Sequence, residues 1–197
     1  MIIIGLTGGI ASGKSTVSNE LRKLNIPIFD ADEVSRNAVT KGSLGLQLVI
    51  EAFGQDYLTQ DGEMDRAKVS QLVFANKEAR QTLEHIIHKI VWGEAEIFLA
   101  RCREANANVA VLDVPLLIEC GWHKNVDKVW LVAVDKRQQI ERAMKRSGMT
   151  EAEVTARIDA QMSLDEKKKH ADVIIDNSGS LNDTLIEVHN ELAKLAR

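Results

Sequence analysis

Residues 1–24 read MIIIGLTGGIASGKSTVSNELRKL: an apolar run, two glycines, a short polar turn, then Gly-Lys-Ser-Thr and a helical pattern. Within it, Gly8-Gly9-Ile10-Ala11-Ser12-Gly13-Lys14-Ser15 fits the phosphate-loop pattern G-x-x-x-x-G-K-[S/T], placed between a strand and a helix as that pattern requires. Glycines let the backbone curl until several N–H groups converge on one concavity, which suits phosphate oxygens. A helix predicted to start near Ser12 adds the positive end of its dipole. On this reading Gly8, Gly9, Ala11, Ser12 and Gly13 line the cradle with main chain, and Lys14 reaches the β- and γ-phosphates. Ser15 and Thr16 follow early in that helix, with the Ser15 hydroxyl as the expected Mg²⁺ ligand. A glycine-rich turn that only caps a helix explains less of the pattern. The stretch is expected to bind a nucleoside triphosphate.

Working outward, the runs 2–6, 26–29, 109–114, 128–134 and 173–175 are predicted strands. None alternates cleanly between apolar and polar, as expected of strands covered on both faces. Helical stretches separate them, so the fold class is α/β: a five-stranded parallel sheet of the P-loop NTPase type, flanked by helices. The intervals 30–108 and 135–172 are too long for simple crossovers and predict two helical insertions. The expected organisation is a nucleotide-binding core of residues 1–36, 102–136 and 169–197, a helical insertion over 37–101, and a lid over 137–168.

The chain has 197 residues and a net charge of −4, which argues against a general nucleic-acid binder. Its two cysteines, Cys102 and Cys120, lie in no CxxC pattern and read as ordinary thiols of a reducing cytosol. No apolar run is long enough for a membrane span, and Met1 leads into the first strand without a basic segment or cleavage site. A cytoplasmic protein with a small-molecule substrate, and no nucleic-acid or membrane partner, is therefore expected. A monomer is the default, since no coiled-coil heptads are present.

A phosphate loop alone does not separate a GTPase, a motor, a kinase and a sensor. Asn76-Lys77-Glu78 lacks the Asp of a guanine-reading NKxD element and sits between helical segments. The second strand runs into NIPIFDADEVSR (residues 25–36) and ends near Asp30 and Asp32, at the sheet edge where open α/β proteins bind ligands. Asp30 followed by Glu33 has the spacing of a helix N-cap. Asp32 then falls in the first helical turn, where a carboxylate can orient an acceptor hydroxyl and take its proton. Residues 135–169 read as two helices joined by a turn at Ser147-Gly148, with Thr150 and Glu153 forming a capping box. Arg142 and Arg146 share a helix face, and Arg157 is placed to face back from the partner helix. Such a basic hairpin is either a solvated surface or a lid that brings an arginine to a phosphoryl group; its position favours the lid.

These stretches together resemble the dephospho-CoA kinase family over essentially the whole chain. The likeness is carried by LTGGIASGKST (6–16), DADEVSR (30–36), DGEMDRAKVSQLVF (61–74), LEHIIH (83–88) and VPLLIECGW (114–122). Arg142 with RIDAQM (157–162), and ADVIIDNSGS (171–180), complete it. The resemblance implies transfer of the ATP γ-phosphoryl group to the ribose 3′-hydroxyl of dephospho-CoA, with Mg²⁺. It implies Asp32 as general base, Arg142 as the lid arginine, and Asn177, Ser178 and Gly179 as the turn beside the adenine. It gives residues 37–101 the pantetheine and diphosphate arm of the acceptor, and makes Thr7, Asp32, Arg66, His88 and Glu119 acceptor-binding candidates. For Arg66 the alternative is tying down the helical insertion.

This chain departs from the family where Lys89 and Trp92 follow His88. Many members carry proline at the first position, so a different local bend is expected, and Trp92 takes no phosphate-binding role. Ala11 stands where the family often has glycine, a mild change provided its φ stays negative. His85 and His88 are spaced for metal ligation, but with no third ligand nearby, packing or a substrate contact is the better reading. Asp113 is either a Mg²⁺-linked carboxylate or a strand cap. Leu116, Leu117 and Ile118 read as packing, Trp130 as core, and Trp122 as either a cover for the acceptor's adenine or surface packing.

Overall fold

A computed structural model describes residues 1–195. The strands are β1 (Ile2–Gly8), β2 (Ile28–Asp30), β3 (Val109–Asp113), β4 (Lys128–Ala133) and β5 (Val173–Asp176). They form one five-stranded parallel sheet in the order β2-β3-β1-β4-β5. β1 lies at the centre, with Leu6 against Asp113 of β3 and Gly8 against Val132 of β4. Ala133 faces Asp176 of β5. This register brings the carboxyl ends of β1, β3, β4 and β5 to one edge. β2 is shorter than the predicted 26–29 and shifted by a residue or two. Pro27 has no N–H to donate, and it joins the sheet through its carbonyl, which accepts from Val111 N at 2.9 Å.

The helices are α1 (Lys14–Lys23), α2 (Ala31–Asn37), α3 (Leu44–Phe53), α4 (Arg66–Ala75), α5 (Lys77–Glu104), α6 (Lys136–Ser147), α7 (Glu151–Asp159), α8 (Leu164–Lys168) and α9 (Leu181–Leu195). Apolar strand residues meet α1 and α9 in a core of Ile4, Leu6, Val17, Leu21, Val111, Trp130, Val132, Ile175 and Val188. Trp130 is fully buried, as expected, and Leu117 and Ile118 are buried while Leu116 is exposed. Trp122 is buried at the start of a short 3₁₀ turn.

The chain divides into two compact units, Met1–Phe29 with Cys102–Arg197, and Asp30–Arg101. In the second unit Leu46, Val49, Val69, Val91, Ala95 and Leu99 are buried. α5 runs unbroken through Lys89, as a helix can where no proline removes an N–H. Among the described residues no helix is long and apolar enough to cross a membrane.

Between β4 and β5 there are three helices rather than the two expected. The capping box of Thr150 and Glu153 opens α7 as read from sequence. The extra helix, α8, is capped by Ser163, whose Oγ accepts from Glu166 N at 3.2 Å; Ser-Leu-Asp-Glu carries that signal. An ion pair of 2.6 Å between Lys136 Nζ and Asp159 Oδ1 ties the start of α6 to the end of α7.

Candidate active site

The loop between β1 and α1 is shaped by backbone that few residues adopt. Gly13 caps α1 with φ 91° and ψ 20°, left-handed values that hold the helix start back to Lys14 instead of Ser12. A Cβ there would also lie 1.9 Å from Asn177 Nδ2. Ala11 has φ 55°, so the negative φ on which its replacement of glycine would be mild is not met. An L-residue held there costs roughly 1 kcal/mol, so the surroundings must hold it. A Cβ on Gly9 would meet Gln139 Nε2 at 2.4 Å.

The carbonyls on either side of Ala11 are both taken by side-chain amides. Gln139 Nε2 donates to Ile10 O at 3.0 Å, and Asn177 Nδ2 donates to Ser12 O at 2.8 Å. Thr184 Oγ1 donates to Asn177 Oδ1 at 2.9 Å and so orients that amide. Ser12 Oγ is buried with no hydrogen-bond partner among the described residues.

Lys14, at the first position of α1, pairs its ammonium with the Asp113 carboxylate. Asp113 is 3 % exposed at the end of β3. Ser15 and Thr16 follow in the first turn of α1, with Ser15 exposed. A serine hydroxyl there is a hard oxygen donor of the kind Mg²⁺ takes beside phosphate. Thr7 is fully buried, and its Oγ1 donates to Pro115 O at 2.9 Å.

The opposite wall comes from α6 and the turn after β5. Arg142 Nη2 donates to Asn177 O at 2.9 Å, and Gln138 Nε2 to Ser178 O at 3.4 Å. Hydrogen bonds from Ser178 hold the Asp176 carboxyl below the usual aspartate range, and those from Ser180 do the same for Asp183. A cavity of about 480 Å³ borders Gly9, Lys136, Gln139, Asp159 and Lys167. Beside it the Lys167 ammonium, 2 % exposed, lies 2.8 Å from Glu119 Oε1. The same oxygen accepts from Met162 N at 3.4 Å.

Within this unit the structure thus gathers the loop 8–16, Arg142 and the turn 177–179. Asp32, Arg66 and His88 belong to the other unit. Asp32 is exposed in the first turn of α2, behind the Asp30 N-cap, whose Oδ1 accepts from Glu33 N at 3.1 Å. Arg66 Nη2 donates to Arg36 O at 3.4 Å, within the helical unit. His85 and His88 are both exposed on α5. Among the described residues no three His, Cys, Asp or Glu side chains are placed to hold a metal.

Sequence reasoning missed Gln139 and Thr184. Gln139 stands one helical turn before Arg142, so the face already assigned to the phosphates carried its signal. Thr184 had none, because its partner Asn177 comes from the turn before α9 and nothing local pairs them.

The family described as dephospho-CoA kinase matches residues 2–183. The dephospho-CoA kinase of Carboxydothermus hydrogenoformans is 45 % identical over 192 residues, 98 % of this chain and 93 % of that one. Among solved structures, a Thermus thermophilus protein superposes with a TM-score of 0.84 at 34 % identity, covering 98 % of this chain and 97 % of that one. The dephospho-CoA kinase of Campylobacter jejuni gives 0.74 at 27 % identity, covering 98 % and 96 %. With matches of this length and identity around an intact phosphate loop, the chain belongs to the dephospho-CoA kinase family.

Proposed function

We propose that this protein transfers the γ-phosphoryl group of ATP to the ribose 3′-hydroxyl of dephospho-CoA, giving CoA and ADP. The observation that carries the reading is the loop 8–16 at the carboxyl edge of the sheet, with Lys14 at its helix start, in a chain of this family. Main-chain amides of the loop grip the triphosphate tail. Lys14 leaves Asp113 for the β- and γ-phosphates, exchanging one anionic partner for another. Ser15 supplies a hydroxyl to Mg²⁺, which when bound offsets charge on the β- and γ-phosphates. The acceptor oxygen forms its bond to the γ-phosphorus as the bond to ADP breaks, and Asp32 takes the hydroxyl proton. Arg142, reaching from α6, supports the charge on the transferring group and leaves the Asn177 carbonyl to do so. Residues 177–179 flank the adenine.

In this reading residues 1–36, 102–136 and 169–197 are the nucleotide-binding core and 137–168 the lid. The insertion 37–101, with Arg66 and His88, receives the pantetheine and diphosphate arm. Two thiols, Cys102 and Cys120, suit the reducing cytoplasm in which we place the enzyme. A monomer is the simplest assembly consistent with the reading.

An ADP-release assay tests it, with dephospho-CoA set against adenosine and a sugar acid. Turnover with dephospho-CoA well above that of a Lys14→Ala control is expected. A better rate with another acceptor would make this a kinase of a different alcohol. ATP binding without turnover on any acceptor would leave only a nucleotide-dependent regulator.

A further inference from the structure

We propose that Gln139 is a positioning residue for the nucleotide: its amide pins the Ile10 carbonyl and so keeps Ala11 in the left-handed conformation of the phosphate cradle. The inference rests on the reading of this loop as the ATP site.

In a trans peptide the C=O and the following N–H point in opposite directions. Holding the Ile10 carbonyl therefore aims the Ala11 N–H the other way, and holding the Ser12 carbonyl does the same for the Gly13 N–H. Gln139 provides the first restraint at 3.0 Å and Asn177 the second at 2.8 Å. Ala11, at φ 55°, lies between them. A non-glycine residue persists in that region only when its neighbours over-determine it.

The two restraints differ in origin. Asn177, in the turn after β5, is itself locked by Thr184 of α9. Gln139 comes from α6, is 8 % exposed, and fills the space above Gly9 that a Cβ would need. One helical turn later Arg142 holds the carbonyl of the same Asn177. The placement of α6 is thereby coupled to the shape of the phosphate loop, independently of any contact that α6 makes with a phosphate.

The test is an equilibrium titration with ATP, without acceptor, on wild type, Gln139→Leu, Ala11→Gly and the double variant. Leucine keeps the volume and removes the donor, so Gln139→Leu should raise the Kd for ATP by about fivefold, the weight of one hydrogen bond. Glycine at 11 accepts positive φ without the Cβ penalty, so the same change in the Ala11→Gly background should cost about twofold or less. Steady-state kinetics should show the KM for ATP rising while kcat moves little. An unchanged Kd in Gln139→Leu, or an equal loss in both backgrounds, would overturn the proposal and leave Gln139 as packing. Should the leucine variant fail to fold, Gln139→Asn, which keeps the amide but is one methylene too short, carries the same two-background comparison. Wild type that binds no ATP would remove the ATP-site reading, and this inference with it.

Discussion

The Lys14 ammonium is paired with the Asp113 carboxylate, joining the first residue of α1 to the last residue of β3. Asp113 is nearly buried, and the Lys14 side chain is 19 % exposed. Each charge is therefore costly to leave without the other. Lys14→Met should destabilise the fold by about 3 kcal/mol, because the carboxylate stays behind without that cation. Lys14→Met/Asp113→Asn should recover most of the lost Tm and none of the ATP binding. Thermal melts and ATP titrations on the three proteins check both halves. A double variant as unstable as the single one would mean the pair is not what holds β3 to α1.

Asp32→Asn should lower kcat by roughly 10²–10⁴ with little change in the Kd for ATP, since it removes a proton acceptor and no phosphate contact. Single-turnover rates with dephospho-CoA, beside ATP titrations, measure the two effects separately. A rate near wild type would exclude Asp32 as the base.

Arg142→Ala should slow phosphoryl transfer more than it weakens ATP binding, provided the guanidinium acts in the transition state. Kinetics at saturating ATP report this directly. If only the KM for ATP rises, Arg142 acts as a binding clamp through its bond to the Asn177 carbonyl.

Acid should loosen the turn after β5. Asp176 and Asp183 both titrate below their ordinary range because hydrogen bonds from Ser178 and Ser180 favour the charged form. Their contribution to stability is complete above the unfolded aspartate pKa of about 3.9. It is lost as pH falls through their lowered folded values. Melting temperatures from neutral to strongly acid pH should fall more steeply for wild type than for Asp176→Asn/Asp183→Asn. Parallel curves would show that other carboxylates govern acid unfolding.

Much of this molecule was legible in short stretches of chain. The phosphate-loop spacing, the N-cap at Asp30 and the capping box at Thr150 depend on neighbours within a turn of each other. α8 was missed, although Ser163 and Glu166 stand at capping distance and carried its signal. The conformation of Ala11 was not legible. Its φ depends on Gln139 and Asn177, which stand far along the chain. The same holds for Lys14 with Asp113 and for Glu119 with Lys167. Lys14, Asp113 and Glu119 each stood out in their own stretch, but nothing there named the partner, which arrives only through the sheet or through the packing of α8.

By itself, the order of residues determined an α/β fold with a phosphate loop, because apolar runs, glycine spacing and caps act over a few residues where chemistry and geometry are nearly local; the kinase family came from the resemblance of its ordered motifs. Only the tertiary structure decided which side chains hold that loop in a shape an alanine resists. That choice was made by the register of β1 against β3 and β4, whose apolar residues share one buried core, and by the face α6 turns inward, which buries Gln139 and Ala143.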